Sequence, residues 1–149
     1  MQTNLTTPTF GDPRLPARFW EKVNPNGPIP AHRPDLGPCW EWMAGLFDTG
    51  YAIFWQSPRN IRAHRLAYET LISPIPFKLE PDHLCRLSYC VNPAHLEIVT
   101  HRENVLRSNN PVTVNARKTR APCGHRYDYI DSEGHRRCYP CMLRRHRGT

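Results

Sequence analysis

The sequence predicts an α+β fold: a strand, loop, strand and helix over residues 80–107, an upstream β-hairpin and helix, and a C-terminal zinc-binding appendage. Residues 95–100 are rich in β-forming side chains and lead into a helix with a capping pattern at its start. The tail carries cysteines and histidines at zinc-ligand spacing. We expect a flexible segment at 1–17, a main domain at 18–110 and a basic module at 111–149.

Length and composition indicate a small core that needs additional stabilisation. The chain has 149 residues, of which 39% are hydrophobic and 16 are proline, so much of it is expected to be turn-rich. Six cysteines and eight histidines can stabilise such a core as metal ligands, which is how ligand-spaced cysteines are commonly used in a reducing compartment. The net charge of +7 favours a polyanionic partner, and nucleic acid is the leading candidate.

Residues 18–42 are predicted to contain only short elements. A short helix is favoured at 18–23, and a proline-broken loop follows it up to Cys39. In Cys39-Trp40-Glu41-Trp42, the alternation places both indoles on one side of a strand. Core packing is the favoured role of these tryptophans, and base stacking is the alternative.

A hairpin and a helix are predicted next. Residues 50–55 and 60–63 form the hairpin strands, and 63–71 has apolar side chains at helical spacing. His64 and Arg65 fit either an anchoring histidine and a phosphate contact, or packing and surface positions. Spacing alone does not separate these two interpretations.

Residues 80–107, EPDHLCRLSYCVNPAHLEIVTHRENVLR, combine side chains suited to phosphodiester hydrolysis. Asp82 and His83 are adjacent where a strand is expected to end, and a bend there lets both side chains face one site. A capping pattern that begins at Thr100 places Asn104 one turn into a helix facing that strand. Hydrolysis needs a base, which imidazole provides, and a hard cation, which carboxylate and carboxamide oxygens bind. Without a shared role, Asp82 and His83 would be a polar turn and Asn104 would be a solvated helix residue. That interpretation leaves their joint arrangement unexplained.

This segment resembles the HNH endonuclease motif, the ββα-metal or His-Me finger, in the variety common among phage and intron-encoded proteins. The pattern runs DHxC, CxNPxHLE and TxxEN, and every part is present. The likeness also includes CWEW, GYAIF and AHRLAYE, so it covers about residues 18–107. It implies that Asp82 and Asn104 bind one Mg²⁺ or Mn²⁺, that His83 is the general base, and that His95 braces the loop and orients the base. It further implies products with 5′-phosphate and 3′-hydroxyl ends.

Cys85 and Cys90 lie in the loop between the two predicted strands. Together with Cys39 and a nearby imidazole, they are candidates for a structural zinc site that holds the loop. The alternative is free thiols packed as small hydrophobic side chains. The fourth ligand is not evident from the sequence, and Cys39 is distant along the chain.

The tail from residue 115 onward is strongly basic and carries a second candidate zinc site. It holds nine Lys or Arg residues against three acids. Cys138 and Cys141 form a Cys-x₂-Cys pair, and Cys123 and His125 complete a Cys₃His set. This arrangement resembles the small zinc ribbon, CxxGH followed by RRCxxC, that trails phage HNH nucleases, but the C-x-H spacing departs from it and makes His135 a substitute ligand.

A zinc-folded tail would present its arginines as phosphate contacts, and a disordered basic tail with incidental thiols is the alternative. The predicted DNA-binding residues are Arg126, Arg136, Arg137, Arg144, Arg145 and Arg147.

The predicted function is hydrolysis of double-stranded DNA by a metal-dependent endonuclease with structural zinc. The alternative is a non-catalytic, zinc-stapled nucleic-acid-binding protein, which leaves the acid, imidazole and amide unexplained. A homodimer is the simple route to cutting both strands. Since no apolar run can span a bilayer and no signal-peptide core is present, we expect no membrane association. The expected location is the cytoplasm of a bacterial host, with the gene carried by a phage or mobile element.

Overall fold

The computed structural model describes residues 7–108 and 111–146, without the side chains of Val112, Met142 and residues 144–146. The chain divides into two compact units, Met1–Asn104 and Val105–Thr149. This division falls six residues before the predicted boundary at 110. The predicted α+β class is confirmed, because short helices and small antiparallel sheets make up both units.

The first unit contains most of the regular elements. Its helices and strands are α1 (Ala17–Trp20), β1 (Val23–Asn24), β2 (Glu41–Trp42), β3 (Ile53–Gln56), β4 (Arg59–Arg62), α2 (Ala63–Leu71), β5 (Leu79–His83), β6 (Leu96–Thr100) and α3 (His101–Arg107), the last of which continues into the second unit. Three two-stranded antiparallel sheets form from β1 with β2, β3 with β4, and β5 with β6.

An aromatic core joins α1 to β2 and β3. The ring of Phe19 lies 5.2 Å from that of Trp42 and 5.3 Å from that of Phe54, between ring centroids. All three residues are buried. Aromatic rings at these separations and tilts are favourably packed, so core packing is the role of Trp42 in this structure.

Residues 7–17 differ from the expectation of a flexible segment. Leu15 is buried in the aromatic core, Phe10 packs edge-to-face on Trp20 at 5.1 Å, and the guanidinium of Arg14 donates to the carbonyl of Leu71. Burial of apolar side chains stabilises this segment against the core. Residues 1–6 of the predicted flexible segment lie outside the described residues.

The strands and helix that carry the predicted active residues follow the expected order. Strand β5 pairs with β6 in the register Glu80 with Val99 and Asp82 with Glu97. At the start of α3, the Thr100 backbone N–H donates to the Glu103 carboxylate at 3.0 Å, and the Glu103 N–H donates to the Thr100 hydroxyl at 3.2 Å. This capping box was predicted, and it fixes where the helix begins.

The second unit contains short elements around cysteine and histidine side chains. Helix α4 (Pro111–Arg117) precedes a small hairpin of β7 (Tyr129–Ile130) and β8 (Arg136–Arg137), and α5 (Tyr139–His146) follows. None of the helices in the described part of the chain has the length and apolar character needed to cross a bilayer.

Candidate active site and zinc-binding clusters

His83 occupies the last position of β5, and its ring is fixed by a backbone carbonyl. Its Nε2 atom lies 3.0 Å from the carbonyl oxygen of Cys90. Because a carbonyl oxygen only accepts hydrogen bonds, Nε2 carries the proton and Nδ1 presents a lone pair. Burial lowers the pKa of His83 below its usual value, so the ring is neutral near pH 7 and can accept a proton at Nδ1.

Two further rings lie beside His83. The ring of His64 meets it edge-to-face at 4.8 Å, and the ring of Tyr51 is 5.9 Å away, between centroids. His64 is 1% exposed, and burial is the main cause that lowers its pKa to about 2. Among the residues that the structure describes, its Nδ1 atom has no hydrogen-bond partner. The structure therefore places His64 in a buried position, where it packs on the predicted base, and not on the helix surface.

Asp82 precedes His83 and is also buried, with its side chain 4% exposed. Its Oδ1 atom accepts a hydrogen bond of 2.8 Å from the guanidinium of Arg86. The Asp82 carboxylate acts to raise the pKa of His83, and the Arg86 guanidinium acts to lower it. Both charges are therefore close enough to the imidazole to influence its pKa.

Asn104 projects from α3 toward the same strand. Its Nδ2 atom donates to Glu80 Oε1 at 2.7 Å, and His101 Nδ1 lies 3.1 Å from that oxygen. Since Glu80 and Asp82 are two residues apart on β5, their side chains share one face of the strand. The bond to Glu80 fixes the orientation of the Asn104 carboxamide through its Nδ2 atom.

The structure thus places Asp82 and His83 at the end of β5, and it places Asn104 against Glu80, two residues before Asp82 on the same strand. Sequence reasoning did not identify Glu80, Arg86 or Tyr51 as neighbours of these residues. Glu80 and Arg86 stand two residues before and four residues after Asp82, and that spacing is the local signal that could have found them. Tyr51 had no such signal, because its contact with His83 joins distant parts of the chain.

Residues 62–106 match a protein-family model described as HNH endonuclease. The predicted resemblance is confirmed over this segment. The match begins at the end of β4 and ends within α3, so it contains Asp82, His83, His95 and Asn104 as well as His64. We refer to residues 62–106 as the HNH segment.

A curated relative comes from a phage. Protein 7.7 of Escherichia phage T7 is 32% identical over 66 residues, which cover 44% of this chain and 51% of the relative. The chain therefore spans about half the length of that relative. No solved structure matches.

The HNH segment contributes three of the four side chains of a buried cluster. The ligand atoms of Cys39, Cys85, Cys90 and His95 all lie within 4.8 Å of one another, and all four residues are buried. His95 Nδ1 lies 3.5 Å from the sulfur of Cys39 and 3.6 Å from that of Cys90. The sequence left the fourth member of this group undetermined, and the structure brings His95 to that place.

The chemistry of this cluster fits a zinc ion. His95 Nε2 lies 2.9 Å from the carbonyl of Leu36, so Nε2 carries the proton and the Nδ1 lone pair faces the sulfur atoms, as in a metal-binding histidine. Burial raises the pKa of Cys39 to about 12, while the hydrogen bond from Cys90 lowers the pKa of Cys85 to about 4. Three crowded buried thiols cannot all ionise without a cation, and zinc stabilises all of them as thiolates.

Cys90 connects this cluster to the predicted base. Its sulfur belongs to the cluster, and its carbonyl accepts from His83. The same loop is held against β2 and the residue before it by hydrogen bonds from Val91 N–H to the carbonyl of Trp40 and from Trp42 N–H to the carbonyl of Tyr89. The backbone of His95 also braces the loop, because its carbonyl accepts from the N–H of Leu84 at 2.9 Å.

The second unit holds another four-residue cluster. Ligand atoms of Cys123, His125, Cys138 and Cys141 lie within 4.8 Å of one another, with His125 Nδ1 at 3.6 Å from the sulfur of Cys141. The hydrogen bond from Cys141 lowers the pKa of Cys123 to about 6, which favours the thiolate that zinc binds. His135, the predicted substitute, lies instead 3.4 Å from the carboxylate of Glu133.

The predicted DNA-binding arginines of the tail differ in their surroundings. Arg126 is exposed. Arg136 lies over the ring of Tyr127 at 4.7 Å and donates to the carbonyl of Lys118. Arg137 donates to Asp131 at 2.7 Å and lowers the pKa of that carboxyl to about 2, so its charge is already neutralised locally. The side chains of Arg144 and Arg145, and all of Arg147, lie outside the described residues.

Proposed function

We propose that this protein is a metal-dependent endonuclease that hydrolyses phosphodiester bonds in double-stranded DNA. The observation that carries the proposal is the hydrogen bond between His83 Nε2 and the Cys90 carbonyl, at 3.0 Å. It assigns the lone pair to Nδ1 of a buried, neutral imidazole next to a carboxylate. A protein that only binds DNA has no need for such a base.

In the proposed reaction, His83 Nδ1 takes a proton from the water that attacks phosphorus. Nε2 remains protonated throughout and keeps its bond to the Cys90 carbonyl, which stabilises the imidazolium as it forms. His64 and Tyr51 pack against the ring and limit its rotation. The base is thereby oriented before substrate arrives, which removes an entropic part of the barrier.

Asp82 and Asn104 are the proposed ligands of a catalytic Mg²⁺ or Mn²⁺. One carboxylate and one carboxamide oxygen suit a hard cation that keeps most of its water ligands. When bound, the ion neutralises negative charge on the phosphate and on the leaving 3′-oxygen. Glu80 orients Asn104 through its bond to Nδ2. Arg86 pairs with Asp82, so its cation stands beside the place where the phosphate would bind.

Two structural zinc ions complete the proposal. One is held by Cys39, Cys85, Cys90 and His95, and it fixes the loop whose carbonyl orients His83. The other is held by Cys123, His125, Cys138 and Cys141, and it folds the basic unit that adds DNA affinity through Arg126 and the other predicted DNA-binding arginines of the tail.

Because the relative is a phage protein, we propose a role inside an infected bacterial cell, with a homodimer as the route to cleavage of both strands.

Cleavage by the unmodified protein is the direct test of this function. Supercoiled plasmid incubated with the zinc-loaded protein is expected to be nicked or linearised with Mg²⁺ or Mn²⁺ and to remain intact with EDTA. Ligation of the product by DNA ligase without further treatment is expected, since the ends carry 5′-phosphate and 3′-hydroxyl groups. Binding of the plasmid without cleavage under any divalent cation would instead support the alternative, a non-catalytic zinc-stapled DNA-binding protein.

Zinc content tests the two clusters separately. The full-length protein is expected to contain two equivalents of zinc by atomic absorption, and Cys138→Ser to contain one. His125→Ala is expected to lose the same ion, whereas His135→Ala serves as the matched control and keeps both. Cys90→Ser is expected to lose the other ion and to unfold at a lower temperature, because three buried polar side chains are left without their cation. Two equivalents in both Cys138→Ser and Cys90→Ser would reject the zinc assignment.

A further inference from the structure

The β3–β4 hairpin presents a face that takes no part in the core. In its antiparallel register, Ile53 is opposite Arg62 and Trp55 is opposite Asn60. Residues directly opposite each other share a face of a sheet, and alternate residues along a strand do so too. These four residues therefore form one face, which we call the hairpin face. The opposite face carries Phe54, which is buried in the aromatic core.

The hairpin face combines an exposed aromatic ring with positive charge. Trp55 is 52% exposed, and Asn60 and Arg62 are also exposed. Residues 53–65 contain three arginines and no acidic residue. Arg18 adds a further cation at the hairpin, since its guanidinium donates to the Trp55 carbonyl at 2.9 Å and lies 4.5 Å from the centroid of the Phe54 ring.

A chain of ring contacts connects the hairpin face to the predicted base. The guanidinium of Arg62 lies 4.9 Å from the centroid of the Tyr51 ring. The Tyr51 ring lies 5.9 Å from that of His83. All of these residues belong to the first unit. A phosphodiester held at His83 would therefore lie two ring contacts from Arg62, the cation of the hairpin face.

We propose that the hairpin face is a DNA-docking surface, in which Arg62 contacts a backbone phosphate next to the scissile one and Trp55 and Asn60 enter the groove. This inference rests on the proposed nuclease function and names a substrate contact for it. A two-stranded antiparallel ribbon has the size that the major groove of duplex DNA admits. Asn60 supplies both a donor and an acceptor for a base edge, and the indole of Trp55 supplies an apolar contact.

A second protein molecule is the other class of partner that an exposed tryptophan can indicate. The charge of the face favours DNA, because a protein partner would need a complementary acidic surface, whereas every phosphate of a duplex satisfies Arg62 and its neighbours. The contacts of Arg62 with Tyr51 and of Tyr51 with His83 also favour DNA, since they connect this cation to the predicted base.

The salt dependence of DNA binding tests the proposal. Full-length, zinc-loaded protein in a His83→Ala background is titrated into a fluorescent duplex, and log affinity is plotted against log salt concentration. Losing one phosphate contact reduces the magnitude of the slope by about 0.9 and weakens binding about eightfold at 0.1 M salt. Arg62→Gln is expected to show both effects, and Arg62→Lys, which keeps the charge, is expected to retain the slope.

The control is Arg33→Gln, which removes the same charge from a side chain already paired with Asp35 at 2.8 Å. It is expected to leave the slope unchanged. Trp55→Ala is expected to weaken binding without changing the slope, since no charge is lost. Equal slopes for Arg62→Gln and Arg33→Gln would overturn the proposal. The proposal would also be overturned if Trp55→Ala kept its DNA affinity and altered the monomer–dimer equilibrium measured by sedimentation. That result would make the face a protein interface.

Failure of this proposal is distinguishable from failure of the nuclease function. Binding slopes are measured on a variant that lacks the predicted base, so they do not depend on cleavage. If the unmodified protein binds DNA but never cuts it, the nuclease function is rejected. The salt-dependence slopes of Arg62→Gln and Arg33→Gln still report whether DNA lies on the hairpin face.

Discussion

Replacing His83 with alanine is expected to lower the rate of plasmid cleavage by about 10²- to 10⁴-fold, the usual contribution of a general base. The imidazole is the group in this site that is neutral, buried and oriented with a lone pair at Nδ1. Without it, water must be deprotonated by solvent, which is slow near neutral pH. The measurement is single-turnover cleavage of a labelled duplex with Mg²⁺.

The substitution should leave substrate binding intact. The His83→Ala protein is expected to bind the uncleaved duplex with affinity similar to that of the unmodified protein and to keep both zinc ions. His135→Ala, in the second unit, is the matched control and should cleave normally. Equal cleavage rates for the His83→Ala and unmodified proteins would show that another group activates the water, and His64 would then be the next residue to replace.

Removing either proposed ligand of the catalytic ion is expected to have an effect of similar size. Asp82→Ala and Asn104→Ala each leave a Mg²⁺ ion with one protein ligand, and its charge stabilises the leaving oxygen only when the ion is in place. We expect cleavage to fall by at least about 10²-fold in each variant at low Mg²⁺ concentration. Higher Mg²⁺ or Mn²⁺ concentrations should restore part of the rate, because weaker binding is the cause.

The control for these variants is Glu69→Ala, which removes an exposed carboxylate of α2 outside the site. It should cleave at the normal rate at every metal concentration. A double variant, Asp82→Ala with Asn104→Ala, is expected to be little worse than either single variant, because residues that act through one ion are not additive. Fully additive losses would indicate that the two residues serve separate roles.

Local patterns predicted the elements that carry the site. Helix α2 spans Ala63–Leu71 as the helical spacing indicated, and the capping box at Thr100 places Asn104 as expected. Both signals depend on residues within a few positions of one another, which periodicity and capping chemistry report directly. The confirmed resemblance to HNH endonucleases arose from the same short stretch.

Contacts between distant residues could not be predicted in this way. Cys39 and His95 are 56 residues apart, and no periodic pattern links them, so the fourth member of the buried cluster stayed open. Leu15 was assigned to a flexible segment because proline-rich composition suggests disorder, yet its side chain fills the aromatic core. The two-residue strands β1 and β2 are too short to give a periodic signal at all.

The choice between His125 and His135 illustrates the same limit. Both are close in sequence to the cysteines of the tail; the sequence predicts His125 as the ligand and leaves His135 as the substitute, because the C-x-H spacing departs from the family pattern. The structure separates the two histidines. Asp131 accepts from the N–H of His135 at 2.8 Å and holds that residue within the acidic turn of the β7–β8 hairpin. His125 is left to join Cys141.

In the proposed site, Asp82 and Asn104 converge on one divalent ion beside His83. Manganese binding followed by electron paramagnetic resonance tests it most directly, using zinc-loaded His83→Ala protein bound to an uncleaved duplex. We predict one bound Mn²⁺ per protein, lost when either Asp82→Ala or Asn104→Ala is added and retained when Glu69→Ala is added. Unchanged Mn²⁺ binding in both the Asp82→Ala and Asn104→Ala proteins would contradict the claim.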